Sequence, residues 1–396
     1  MHNSLMLADL KKSVMYRYLI LLVIAGTLGL QGWRTLFNNF AVDQVGISGL
    51  QVGGIQSIRE IPGFLSLLIV YLLLFVKEYR LSAISILVVG LGITFTGFFP
   101  SFWGLVFTTF IFSLGYHYFE TTNKSLTLQY FSTKDSPRVL ANQQSWKAIT
   151  NIGIGAFILI TAHFVTIKIN FLILGLLVIT IGVYALFWKP TKKDLPIQNK
   201  GIIFHKKYWL FYTLNLLSGA RRQIFVVFAV FMFVERFHFT VVNITILFII
   251  NNIISYFTAP LIGKAINKYG EHALLTTEYI SMIVVFLGYA FVNNVAVITS
   301  LYIVDNIFFS CAMGINTFFQ KMGDKKDIAP SMAMGFTINH ISAVIFPVLG
   351  GALWMISFRL PFLMGVGFAI TSLILVQFIP KYLAKKQTVN SSLSKN

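Results

Sequence analysis

Ten charged side chains fall well inside long apolar stretches of this chain. Six are basic (Arg34, Arg59, Lys124, Lys147, Arg221, Arg222) and four acidic (Glu60, Glu120, Glu278, Asp305). A charge at the centre of a bilayer costs about 2.5–3.5 kcal/mol on insertion scales, so such groups face a partner, a wet cavity or a ligand. The bases outnumber the acids, so pairing among themselves leaves positive charge over. Arginine offers a planar fork of donors that fits carboxylate or phosphate, and a small organic anion would supply the missing charge. The carboxylates suggest a second chemistry. Burial raises a carboxyl pKa and a neighbouring cation lowers it, so an acid that alternates between those settings can carry a proton. Glu60, Glu120 and Asp305 have that character, and His117 and His340 titrate near neutrality.

Spacing groups these residues into stripes of helical period. Gln31, Arg34, Thr35 and Asn38 form one, and His117, Glu120 and Lys124 another, with Glu120 and Lys124 able to pair one turn apart. Asn215, Ser218 and Arg222 share a face, and Asp305 and Asn316 are eleven residues apart and return to nearly one azimuth. Gln143, Lys147 and Asn151, and Gln56, Arg59 and Glu60, add two more. The candidate solute-binding set is therefore Arg34, Asn38, Arg59, Lys124, Lys147, Arg221, Arg222 and Asn316. Glu60, Glu120, Asp305 and His117 form the candidate proton-coupling set. For each residue the alternative is a scaffold pair that only holds helices together. Trp33, Phe37, Trp146 and Trp354 have two readings as well, pocket wall or packing core, and core is the commoner role of such aromatics.

These residues are positioned by an unusual chain. Of its 396 residues 56% are hydrophobic and 11% charged, and the mean hydropathy is +0.77, which places it among polytopic membrane proteins. The net charge of +18 does not indicate nucleic acid, because the bases lie between or inside apolar runs rather than on a solvated domain. The single cysteine, Cys311, allows neither a disulfide nor a cysteine metal site within the chain. Asp9, Lys11 and Lys12 precede a long apolar segment with no small-residue cleavage site after it, so a retained first helix is expected.

Runs long enough to cross a bilayer occur at 15–40, 50–76, 81–99, 102–129, 139–165, 168–188, 208–233, 240–263, 273–292, 295–320, 330–356 and 361–380. Twelve spans with both ends cytoplasmic put 22 of the 31 Lys and Arg on the cytoplasmic side, three (Lys168, Arg236, Arg359) on the other and six within the spans. That asymmetry is the positive-inside pattern of a multi-pass protein in the plasma or inner membrane. The longest connection is rich in lysine and carries Pro190 and Pro196. It divides the chain into a six-helix bundle at 1–188, a cytoplasmic linker at 189–207, a second six-helix bundle at 208–380 and a cytoplasmic tail at 381–396. The first run of the second bundle, Leu210–Phe233, echoes the first run of the chain: Gly219-Ala220-Arg221 answers Gly32-Trp33-Arg34.

Between the eighth and ninth spans stands Pro260-Leu-Ile-Gly263-Lys-Ala-Ile-Asn267-Lys268-Tyr269-Gly270-Glu-His272. It resembles the loop signature of the major facilitator superfamily, G-x-x-x-D-(R/K)-x-G-(R/K)-(R/K). Gly263, Lys268 and Gly270 match, Asn267 replaces the acid, and Glu271-His272 replace the basic pair. The corresponding first-half loop, Phe75 to Arg80, lacks both glycines and the acid. Together with twelve helices in two repeats, the resemblance implies an all-α membrane fold and secondary active transport of a small molecule by alternating access. A monomer in the lipid bilayer is expected, with no cofactor and no enzymatic activity, and with protons as the candidate coupling ion beside uniport. Gly263, Asn267, Lys268 and Gly270 then form a gate loop. The first, fourth, seventh and tenth helices line the cavity, bringing Arg34, Glu120, Lys124, Arg221, Arg222 and Asp305 to it. Glu278, on a helix that is usually peripheral in this family, is expected to snorkel or cap. The antiporter-type Gly-Pro signature is absent from the fifth helix, where Asn151-Ile-Gly153-Ile-Gly155 stands.

Other readings are weaker. Gly46-Ile-Ser48-Gly49 resembles an intramembrane serine protease motif, but Ser48 falls in a loop rather than at membrane depth. His117-x-x-Glu120 has no second copy to build a di-metal bundle. A non-transporting sensor rests only on the degraded first-half loop. Within transport, export of amphipathic cations recognised by Glu120, Asp305 and Glu60 is the alternative to an anion.

Overall fold

The computed structural model describes residues 12–47, 49–161, 164–190, 198, 199, 201–239 and 241–384. Ser48, most of the expected linker and the end of the tail lie outside them. All regular structure among the described residues is helical, and the chain forms two compact units: 1–130 with 146–202 and 329–337, and 131–145 with 203–328 and 338–396.

In the first unit, α1 (Val14–Asn39) starts at Ser13, whose hydroxyl caps the Tyr16 N–H at 3.5 Å. It is followed by α2 (Gly49–Phe64) and the short α3 (Ile69–Leu72), then α4 (Glu78–Thr96), α5 (Phe102–Tyr130), α6 (Ser136–Thr161, shared between the units) and α7 (Ile167–Leu186). Pro62 lies within α2, and a 3-10 turn at Leu65–Leu68 separates α2 from α3. α4 is the hub, packed on α5, α7 and α1. A Cβ at Gly92 would come within 2.5 Å of the Phe112 backbone, so only glycine permits that approach, as is usual where helices pack without water to drive them together.

The second unit contains the only left-handed turns outside the first-unit loops among the described residues, at His238 (φ 52°) and Gly270 (φ 82°). α8 (Trp209–Gln223) passes through a π-helical turn, Ile224–Ala229, into α9 (Val230–Phe237). α10 (Val241–Phe291) is two helices joined at Gly270, whose φ of 82° and ψ of 166° no side chain other than hydrogen adopts cheaply. α11 (Val295–Phe309) is capped by Asn294, which accepts from the Ala296 and Val297 N–H groups, and a 3-10 turn at Ser310–Ala312 separates it from α12 (Met313–Met322). α13 (Ile328–Ile356) and α14 (Arg359–Val376) follow. The core here is aromatic, with Phe228, Phe233, Phe286, Tyr289, Tyr302 and Phe362 at 4% exposure or less.

Nine helical stretches among the described residues are long and apolar enough to cross a membrane. One of them, Ile246–Phe291, contains the Gly270 turn. α5 and α6 are not among the nine, being richer in polar residues. Large apolar side chains are exposed along the bundles, including Phe107 (59%), Leu159 (70%) and Val348 (72%), a surface that only lipid makes affordable.

Candidate functional site

The second unit buries a charged cluster. Arg221, at the last turn of α8, reaches Glu278 of α10 with Nη2 to Oε1 at 3.4 Å, both side chains 5% exposed. The Arg221 guanidinium lies over the Tyr279 ring, Cζ to centroid 4.2 Å, a cation–π contact strengthened by desolvation. Asp305 of α11, 3% exposed, accepts from the Tyr289 hydroxyl at 3.3 Å. Arg221, Arg222, Glu278 and Asp305 line one cavity with Ser218, and its empty volume is about 300 Å³ counting space open to the outside. Three atoms of these residues are buried without a hydrogen-bonding partner among the described residues: Nη1 of Arg221, Nε of Arg222 and Oε2 of Glu278.

Local chain geometry sets this up. The π turn begins two residues after Arg222 and the 3-10 turn five residues after Asp305. π turns inside α-helices recur at functional sites because the changed hydrogen-bond ladder re-aims side chains. The 3-10 turn also breaks the register assumed for Asp305 and Asn316. Asn316 is half-buried on α12 and does not line the cavity. Glu278 corrects an expectation: it neither snorkels nor caps but is 4% exposed against Arg221. Its signal in the sequence was an acid within a span long enough to cross a bilayer.

In the first unit, Glu120 of α5 holds two lysines on one carboxylate oxygen, Lys124 at 3.4 Å and Lys147 of α6 at 3.7 Å. Lys124 also lies 5.1 Å from the Phe336 ring centroid. Arg59 and Glu60 pair at 2.7 Å, and the Ser113 hydroxyl donates to the Arg59 carbonyl. His117 is buried, with its ring 5.6 Å from that of Phe336. On α1, Thr35 donates to the Gln31 carbonyl at 2.9 Å and Arg34 is exposed beside it. The Asn38 side chain lies outside the described residues. Trp33 is fully buried, stacked on Phe37 at 4.3 Å and Phe112 at 5.1 Å, and so belongs to the core. Trp146 is 42% exposed, and Trp354 donates to Glu235 at 3.0 Å.

The loop signature has a physical role at each position. Gly270 makes the turn. Asn267 donates to the Lys134 carbonyl at 2.7 Å, a neutral amide doing by hydrogen bond what a carboxylate cannot do towards a carbonyl. Gly263 packs against Pro137 and Ala141, and Lys268 is exposed with Nζ 4.9 Å from the Tyr269 ring. Glu271 stands where the signature has a base; it is 1% exposed and paired with Lys321 of α12 at 2.8 Å. His272 meets Gln377 at 2.9 Å. The first-half loop is fastened differently: Gln129 donates to Glu78 at 2.6 Å and Tyr18 to the Tyr79 carbonyl at 2.5 Å.

Comparison with known proteins agrees with this architecture. The sequence profile of the Major Facilitator Superfamily matches residues 19–329. No curated protein sequence matches. Among solved structures, a bacterial homologue of the iron transporter ferroportin in the outward-facing state superposes with TM-score 0.74 at 13% identity, covering 93% of this chain and 99% of that one. The E. coli fucose:proton symporter FucP gives 0.70 at 13% identity, covering 92% and 98%. The human organic anion transporter MFSD10 (TETRAN) gives 0.62 at 11% identity, again covering 92% and 98%. At these identities the likeness is one of fold.

Proposed function

The chain belongs to the major facilitator superfamily, and from that premise we propose that it is a secondary active transporter of a small solute bearing an anionic group, driven by protons through alternating access. In this reading twelve spans form the two six-helix bundles at 1–188 and 208–380, both termini are cytoplasmic, and the protein works as a monomer in the plasma or inner membrane. The 22-to-three asymmetry of basic residues supports that orientation. The observation that carries the anion is the cavity wall: two adjacent arginines, Arg221 and Arg222, each present a buried donor with no partner among the described residues. An unfilled buried donor costs about 1–3 kcal/mol, and a carboxylate or phosphate relieves two at once. Arg34, Arg59, Lys124 and Lys147 are the candidate contacts of the first unit, with Glu120, Glu60, Asp305 and His117 as proton carriers.

Thermal unfolding of the detergent-purified protein against carboxylates, phosphates, sugars and lipophilic cations tests this. A ligand at a hundredfold its Kd stabilises by about 2.7 kcal/mol. Stabilisation by carboxylates or phosphates, lost in Arg222→Gln, is the expected result. The second reading, efflux of cations, has one observation in its favour, that Glu278 and Asp305 line the same cavity. Stabilisation by lipophilic cations alone would establish it and end the anion reading.

A further inference from the structure

We infer that the solute taken by the second-unit cavity is a zwitterion with a short apolar body, an α-amino acid of the leucine type, its carboxylate on Arg221 and Arg222 and its ammonium on Glu278 and Asp305. The inference rests on the reading of this cavity as the anion-accepting site and narrows it.

Charge balance comes first. The wall carries two arginines and two acids, so the empty cavity is formally neutral. A simple carboxylate would add a third negative group against two positive ones, in a place where uncompensated charge is costly. A simple amine would err the other way by the same amount. A zwitterion leaves the balance untouched.

The unfilled atoms give the second reason, and they are independent of the first. Arg221 and Glu278 meet through Nη2 and Oε1. That leaves Arg221 Nη1, Arg222 Nε and Glu278 Oε2 buried and unfilled among the described residues. Two are donors and one is an acceptor. A carboxylate satisfies the donors and has nothing to give the acceptor. An ammonium satisfies the acceptor and has nothing for the donors. A ligand with both groups on one carbon satisfies all three.

The rest of the wall describes the body of the ligand. Phe225, Met282, Phe286, Phe309 and Ala312 complete the lining, and Phe225 is held by stacking on Tyr302 at 4.6 Å. Aromatic and thioether surface favours a hydrocarbon side chain, with methionine adapting to its shape. The space these residues leave is small and opens outward, which suits a short hydrocarbon chain rather than a peptide or a bulky amphiphile.

Three isosteric probes test it on the full-length protein in detergent at neutral pH: L-leucine, 4-methylpentanoate, which lacks the ammonium, and 3-methylbutylamine, which lacks the carboxylate. Affinities are read by calorimetry or thermal shift. Leucine is expected to bind at least about tenfold more tightly than either relative, about 1.4 kcal/mol. Its advantage over 4-methylpentanoate should collapse in Glu278→Gln or Asp305→Asn, and its advantage over the amine in Arg222→Gln. The wild-type comparison stands even if a variant fails to fold. If 4-methylpentanoate binds as well as leucine or better, the zwitterion is overturned while the anion reading survives. If the amine binds best, both are overturned; if none of the three binds, the zwitterion is overturned and the anion reading is decided by the carboxylate and phosphate panel above.

Discussion

The two units each bury acids beside bases, but in different physical regimes. Around Glu120 the side chains are 21–32% exposed and one carboxylate oxygen serves two lysines on flexible stems. Around Arg221 the paired side chains are 5% exposed, the guanidinium is stacked on Tyr279, and Asp305 is held by a tyrosine hydroxyl. Solvent screens the first cluster, so its pairs are worth little and are easily exchanged. The second is desolvated, and there the loss of one partner strands the other. Residue type alone does not distinguish them; burial does.

The contrast makes a graded set of predictions. Arg221→Met leaves Glu278 buried without its cation and should cost about 3–5 kcal/mol, read as a large drop in the thermal midpoint of the detergent-purified protein. The double variant Arg221→Met/Glu278→Leu should recover most of that loss, because an apolar pair of similar size needs no compensation. Tyr289→Phe removes the hydroxyl that Asp305 accepts from and should cost about 1.5–3 kcal/mol, measured the same way. Glu120→Gln should cost no more than about 1 kcal/mol, and a salt titration of wild type and variant should narrow even that difference. Equal losses for Glu120→Gln and Arg221→Met would remove the basis for treating the clusters differently.

Much of the architecture was legible because lipid imposes simple rules. Length and hydropathy placed the helices, and the signature Gly263 to Gly270 placed the turn in α10. Which charges meet was less legible. The pair of Glu120 and Lys124 could be read because both lie on one helix one turn apart. The pair of Arg221 and Glu278 spans 57 residues of sequence, and nothing local to either residue announces the other. Asp305 and Asn316 show the opposite failure. Periodicity assigned them one face, but periodicity assumes an unbroken helix, and the 3-10 turn at Ser310–Ala312 breaks it. Glu271 departs from the signature in sign, and only its partner Lys321 explains why a buried acid is tolerable there.

The π turn at Ile224–Ala229 sets the chain's tolerance to insertion and deletion. One residue of an α-helix accounts for about 100° of rotation. A π turn holds one residue more than the α-helical stretch it replaces, so deleting a single residue within it lets the backbone relax into uninterrupted α-helix with α9 facing as before, and Met232 and Phe233, both 0% exposed, stay on the core. The same deletion in the regular helix on either side has no surplus residue to draw on and turns every residue after it by about 100°. Ile224–Ala229 is therefore a stretch of this span whose length can shorten by one residue with the core still in register.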